Sequence, residues 1–243
     1  MERLDKVLSN LGYGSRKEIK AMAKAGRIKV DGNIIKDSSS SIDPEKNEIY
    51  IGEEKVLYRK FIYLMMNKPA GVVSATYDNY DQTVVDLLED KFFIFEPFPV
   101  GRLDKDTVGL LLLTNDGELN HRLISPKWHV DKLYYAKINA PVDEEDIKAF
   151  KEGIILDDGY KCLPAGLEVI NSSQEESQVY VTLQEGKFHQ VKRMFQSLNK
   201  MVIYLKRAAF GPLTLDENLE EGQYRELSEE ELRKLKEEAG LEK

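Results

Sequence analysis

Leu4, Val7, Leu8 and Leu11 recur at three- and four-residue spacing in RLDKVLSNLG, so the chain opens with a helix that buries one face. Gly12 and Gly14 break that pattern. Ser15 and Glu18 in SRKE form a capping-box pattern that starts a second helix, ending near Gly26. RIKV and NII flank Asp31-Gly32, a pair that tolerates positive φ, and predict a hairpin. The polar stretch KDSSSSIDPEKN separates this hairpin from one more strand, EIYIG, and GEEKVLYRK at 52–60 reads as a linker.

From Phe61 onward strands and helices intersperse. KFIYLMMNKP is an apolar strand ended by Pro69, and TVVDLLED predicts a short helix. GLLLLTN is an unbroken apolar run, the pattern of a fully buried strand, and DGELNHRLI is a helix after it. KLYYAKI alternates as a strand does. DEEDIKAFKEG is a helix capped by Asp143, with Gly153 past its end. Strands GLEVI and QVYVTLQE, the helical FHQVKRMFQSLN, strands MVIYLKRAAF and GPLTL, and a helix opening at SEEE complete the chain. This irregular order predicts an α+β fold rather than a doubly wound one. The expected boundaries are a small N-terminal domain over residues 1–58 and a second, mixed and largely antiparallel domain over 59–243.

Composition narrows the class. The longest apolar stretches, FIYLMM and GLLLL, fall far short of the roughly 18 residues that cross a bilayer. MERLDKVLSN carries charges where a signal peptide needs its apolar region, and a single cysteine, Cys162, leaves no intramolecular disulfide. The expectation is a cytoplasmic protein with no membrane partner. A net charge of −8 argues against a nucleic-acid ligand, but the charge is unevenly spread. Residues 1–36 hold nine Lys/Arg against four Asp/Glu, and residues 186–215 hold six basic residues and no acidic one. A polyanion responds to the local field, so two such zones suit RNA.

Familiar catalytic motifs are missing: there is no glycine-rich phosphate loop, no HExxH and no GxSxG. His121, His129 and His189 are too scattered to propose a metal site. The remaining candidate is PVGRLDKDTVGLLLLTNDGE, where Arg102, Asp104, Lys105 and Asp106 crowd against the start of the buried strand. Asp104 and Asp106 are two apart in a loop and need not share a site. A carboxylate in a loop backed by an apolar strand can sit rigidly at the floor of a cleft. It stays ionised there only beside a cation. Arg102 is the local candidate, and Lys192–Arg193 the distant one.

Two resemblances bear on these residues. The order helix–GYGSRKE–helix–GRIKVDG resembles the S4-like RNA-binding domain over about 50 residues. Its basic residues Arg3, Arg16, Lys17, Lys20, Lys24, Arg27 and Lys29 are then expected to track an RNA backbone. NKPAGVVS, PVGRLDKDTVGLLLLTNDGEL, KLYYAKI, EGKFHQVKRMF and YLKRAAFGPLTL follow one another as do the motifs of the Rsu-type ribosomal RNA pseudouridine synthases. That resemblance implies Asp104 as the catalytic aspartate, Tyr134 as the active-site tyrosine and Lys192 as the basic partner of the aspartate. It implies substrate contacts from Arg102, Lys132, Leu205, His189, Gln190 and Arg193. No metal or cofactor is implied. The FHQVKRM form is the one typical of the small-subunit branch, so the expected substrate is a 16S rRNA uridine, at position 516. It would be met in the RNA itself or in a partly assembled small-subunit particle, by a monomer.

Two alternatives carry different predictions. The first keeps the enzyme class and moves the target to 23S rRNA. The second is a non-catalytic RNA-binding ribosome-assembly factor, which would be expected to lack Asp104 or Tyr134; both are present. A glycoside hydrolase needs a second, opposed carboxylate and leaves the basic N-terminal module unexplained.

Overall fold

The computed structural model describes residues 1–56 and 58–241, and its chain clusters into two units. Leu57, inside the expected linker, lies outside the described residues, as do Glu242 and Lys243.

The first unit comprises Met1–Ile62 together with Leu88–Glu96. It runs β1 (Glu2–Arg3), α1 (Leu4–Asn10), α2 (Arg16–Lys24), β2 (Ile28–Val30), β3 (Asn33–Ile34), β4 (Ser41–Ile42), β5 (Ile49–Ile51) and β6 (Glu54–Lys55), with α3 (Asp90–Phe93) added from later in the chain. The capping box is formed at α2: the Ser15 amide donates to Glu18 Oε2 at 2.7 Å and the Glu18 amide to Ser15 Oγ at 3.3 Å. Asp31 and Gly32 both take positive φ, 49° and 77°, which turns β2 into β3. Leu4, Leu8, Ile19, Ala23 and Ile28 are wholly buried between the helices and the sheet β3-β2-β5-β6. The stretch expected as a linker is partly structural: β6 pairs with β5, and the Val56 amide donates to the Ile49 carbonyl.

The second unit comprises Tyr63–Leu87 and the chain from Pro97 onward. Its elements are β7 (Tyr63–Lys68), β8 (Phe98–Pro99), β9 (Val108–Thr114), α4 (Gly117–Ile124), β10 (Lys132–Ile138), α5 (Glu144–Glu152), β11 (Gly166–Ser172), β12 (Ser177–Leu183), α6 (Gln190–Ser197), β13 (Val202–Phe210), β14 (Leu213–Thr214), β15 (Tyr224–Glu226) and α7 (Glu229–Glu238). The sheet runs β11-β12-β10-β13-β9-β7-β15, with β14 against β13 and β8 against β9. Its neighbours are antiparallel except β9 and β13, which pair in parallel. Helices and a mixed, mostly antiparallel sheet make the fold α+β, as the sequence predicts.

TVVDLLED is not a helix: only a 3₁₀ turn forms, over Val85–Leu87. The Val84 amide instead donates to the Val73 carbonyl, and Val84 is fully buried. Pairing and burial of a β-branched residue outweigh a marginal helical pattern. Every residue of β9 is buried, as its unbroken apolar run requires. Gly109 in β9 has φ +103°, and a Cβ there would fall 2.4 Å from the Arg207 carbonyl oxygen. Only glycine lets β9 and β13 approach this closely.

Two apolar clusters form the core of this unit. Phe150 of α5 and Val191, Met194 and Phe195 of α6 pack with Ala136, Ile138, Val179 and Val181. Leu119 and Leu123 of α4 and Leu235 of α7 pack with Leu110, Leu112 and Phe210. Among the described residues no helix is long and apolar enough to cross a membrane.

Candidate active site

A cavity of about 680 Å³ opens where the two clusters meet, lined by Leu183 and Leu205 from one side and Val100 and Phe210 from the other. Its floor is the loop that leads into β9. Main-chain atoms hold that loop. The Gly71 amide donates to the Lys105 carbonyl at 2.7 Å, and the Leu103 amide to Ser74 Oγ at 3.1 Å. Ser74 Oγ–H donates back to the Leu103 carbonyl at 2.9 Å. Lys68, fully buried at the end of β7, donates from Nζ to the carbonyls of Pro69, Lys105 and Thr107 at 2.9, 3.4 and 3.0 Å. Burial pulls its pKa down to about 8, against the opposing pull of Asp106 and Asp104.

Asp104 sits on this loop with its side chain 23% exposed. Its Oδ2 lies 3.0 Å from Lys192 Nζ, and its Oδ1 lies 3.5 Å from His189 Nε2. Lys192 also donates to Asp106 Oδ1 at 2.6 Å, so one ammonium joins the two carboxylates. Burial disfavours the Lys192 charge, but the hydrogen bonds to Asp106 and Asp104 outweigh it and raise its pKa above the ordinary lysine value. Helix α6 delivers Lys192 because Val191, Met194 and Phe195 anchor its opposite side in the core.

Tyr134 lines the cavity from β10, in register with Val181 and Arg207. Tyr135 points to the other face, edge-on to Tyr180 and Tyr204 at centroid distances of 5.8 and 6.1 Å. The alternation of a strand thus separates the two tyrosines. Leu205 and Lys132 also line the cavity. Lys132 is buried and donates to the Val130 carbonyl at 2.6 Å; burial and the neighbouring Arg207 lower its pKa to about 8. His189 takes a left-handed φ of +49° before α6 and also lines the cavity.

The other expected site residues divide. Gln190 lines the cavity, but its amide is spent on the loop: Oε1 accepts from the Lys187 amide at 2.8 Å and Nε2 donates to Glu185 Oε1 at 2.6 Å. Arg193, expected to contact substrate, is not among the residues that line the cavity. It turns away to Asp157 and Asp158, the latter at 2.7 Å, because adjacent residues of a helix lie about 100° apart and Lys192 takes the inward position. Arg102 lines the cavity but, among the described residues, forms no ion pair. The ammonium beside Asp104 is that of Lys192, with the His189 imidazole on the other carboxylate oxygen, and not the local arginine. In the first unit, Arg16, Lys17, Lys20, Lys24 and Arg27 are exposed. Lys29 pairs with Glu53 at 3.4 Å, and Arg3 commits its guanidinium to Asp5 at 3.0 and 2.7 Å.

Sequence reasoning missed Lys68, Arg207 and the shared contact of Asp106. Lys68 left a trace, a lysine closing the otherwise apolar FIYLMMNK. Arg207, 3% exposed, donates from Nε to the Leu110 carbonyl, and only the parallel pairing of β9 and β13 reveals why. Among the described residues no group of three or more His, Cys, Asp or Glu side chains is arranged to hold a metal ion.

Residues 62–197 match the family of RNA pseudouridylate synthases, and residues 2–47 match the S4 domain. YtzG of Bacillus subtilis, named an uncharacterized RNA pseudouridine synthase, is 52% identical over 235 residues, covering 97% of this chain and 98% of its own. The ribosomal small subunit pseudouridine synthase A of Vibrio cholerae is 41% identical over 231 residues, covering 95% and 97%. The ribosomal large subunit pseudouridine synthase B of Bacillus subtilis is 36% identical over 241 residues, covering 97% and 96%. A crystal structure described as a pseudouridylate synthase superposes with a TM-score of 0.67 at 37% identity, covering 97% of this chain and 100% of the other.

Proposed function

The chain belongs to the Rsu branch of the RNA pseudouridylate synthase family, and from that membership we propose that it converts one uridine of 16S ribosomal RNA, expected at position 516, into pseudouridine. The observation that carries the chemistry is the Asp104 carboxylate, 3.0 Å from the Lys192 ammonium, in a cavity that Tyr134 also lines.

The reaction breaks the N1–C1′ bond, turns the uracil and rejoins it through C5. Asp104 either attacks C1′, giving a glycosyl ester, or removes the C2′ proton, giving a glycal; both routes need the ionised carboxylate. Lys192 and His189 lie within ion-pairing distance of that carboxylate. Tyr134 stacks on the uracil and takes part in removing the C5 proton, directly or through water. Leu205 packs against the ring, and Arg102, Lys132 and Gln190 border the substrate. The uridine leaves its helix first, at a cost of a few kcal/mol unless it is already unpaired.

The front domain, taken as residues 1–58, holds the RNA by its backbone through the exposed basic residues of α2 and the hairpin, and the catalytic domain spans 59–243. The protein acts as a cytoplasmic monomer on 16S rRNA, free or in a partly assembled small-subunit particle. The FHQVKRM motif favours the small-subunit target. The similarity to a large-subunit enzyme keeps a 23S uridine as the second reading.

The test is pseudouridine formation in 16S and 23S transcripts and in partly assembled small-subunit particles, mapped by carbodiimide-stop primer extension, with wild type beside Asp104→Asn. One new 16S site, absent with the variant, is the expected result. A 23S site replaces the substrate, and tight binding without product on any RNA favours the assembly-factor reading.

A further inference from the structure

Phe188 has no place in the core: its side chain is among the exposed large apolar groups, at 72%. It nevertheless has a fixed partner. Its ring stacks on the His189 imidazole at 3.7 Å between centroids and 19° between planes. That imidazole in turn lies 3.5 Å from Asp104 Oδ1. Ring, ring and carboxylate therefore form a short series running inward from the rim of the cavity, which both rings line. The left-handed φ of His189, +49°, is an uncommon conformation for a residue other than glycine. The bonds from Gln190 to the Lys187 amide and to Glu185 brace the turn that contains it.

One side of the Phe188 ring is covered and the rest is open to a planar group. Its surroundings specify which kind. Lys187 and Arg102 line the same cavity, and the stretch from Gly186 to Leu215 holds no acidic residue. A nucleobase carries both a π-face for the ring and a phosphate for the cations. We propose that Phe188 is a stacking seat for the base directly adjacent to the modified uridine, a subsite that selects for an unstacked neighbour. This rests on the RNA-modifying reading above.

The experiment uses the full chain and the RNA that wild type modifies, alongside the same RNA with an abasic residue on either side of the target. Initial rates and fluorescence-anisotropy binding are measured for wild type, Phe188→Ala, Phe188→Leu and Phe188→Trp. Phe188→Ala is expected to lose about tenfold in kcat/KM, chiefly through KM, with thermal unfolding unchanged because the ring is exposed. Phe188→Trp restores the value and Phe188→Leu does not. An abasic neighbour on one side costs wild type a similar factor and costs Phe188→Ala nothing, because each change removes the same stack. Equal activity of the Leu and Phe forms, or an abasic penalty independent of residue 188, overturns the seat. If wild type forms no pseudouridine on any RNA, the catalytic reading fails by itself. The seat then stands if binding keeps this pattern on 16S transcript fragments, and falls if it does not.

Discussion

Lys192 Nζ stands 3.0 Å from Asp104 Oδ2, bringing a helix residue of α6 onto a loop that enters the far side of the sheet at β9. Both side chains are 23% exposed, so the attraction acts in a partly desolvated site. Lys192→Met is expected to lower kcat by about 10²-fold while RNA affinity changes little. Lys192→Arg should keep much of the rate. Single-turnover kinetics distinguish the two, and a Met variant at wild-type rate would remove Lys192 from the mechanism.

Lys68 is expected to couple loop position to pH. Its folded pKa of about 8 lies below the ordinary lysine value of 10.5. Between those values the unfolded chain holds a proton that the folded chain has shed, so raising the pH through this window favours folding. Urea unfolding of wild type and Lys68→Met should therefore diverge in favour of wild type from pH 8 to 10. A difference that stays flat or narrows contradicts the buried ammonium. At neutral pH the variant should also lose about tenfold in rate, since Asp104 is then less firmly seated.

Gly109→Ala should cost at least about 3 kcal/mol, because the added Cβ meets main chain rather than a movable side chain. Gly159→Ala is the control: its φ of +83° is similar, but nothing lies within 4 Å of the new atom. Chemical denaturation of both variants separates crowding from backbone strain. Equal losses would rule crowding out.

Arg225 joins β15 to α7 by bonding Glu231 at 2.8 Å through each of two nitrogens. The Arg225 hydrogen bond holds the Glu231 pKa at about 2, below its ordinary 4.5. The stabilisation is complete above about pH 4.5 and is lost as the pH falls through about 2. Arg225→Met should cost about 2 kcal/mol at pH 7, allowing for partial exposure, and progressively less toward pH 2. Urea titrations at several pH values check this, and a cost that does not change with pH would refute it.

The local elements were legible in the sequence where one residue type had one job. The Ser15–Glu18 capping box, the Asp31-Gly32 turn, the Asp143 cap and the buried GLLLL run each follow from short-range chemistry. The segment after Gln82 misled because Val84 answers to Val73 across a loop, not to its helical neighbours. The site was legible in part. Asp104, Tyr134, Leu205 and His189, singled out by the motifs, line one cavity. Arg102 was the candidate by proximity in sequence and Lys192–Arg193 the distant one; helical phase turns Lys192, the partner the resemblance implied, toward the carboxylate and Arg193 toward Asp158. Lys68 and Arg207 act on carbonyls of other strands, and no one-dimensional pattern encodes such a partner.

The bonds from Lys68, Gly71 and Ser74 to the Asp104 loop all end on main-chain atoms of residues 103, 105 and 107. None of them depends on which side chains those residues carry. The side chains at 102 and 105, exposed at the cavity, can therefore change during evolution without disturbing the carboxylate between them. A scaffold of this kind separates the inheritance of chemistry from the inheritance of target, so a lineage can drift toward a new RNA while its reaction stays intact.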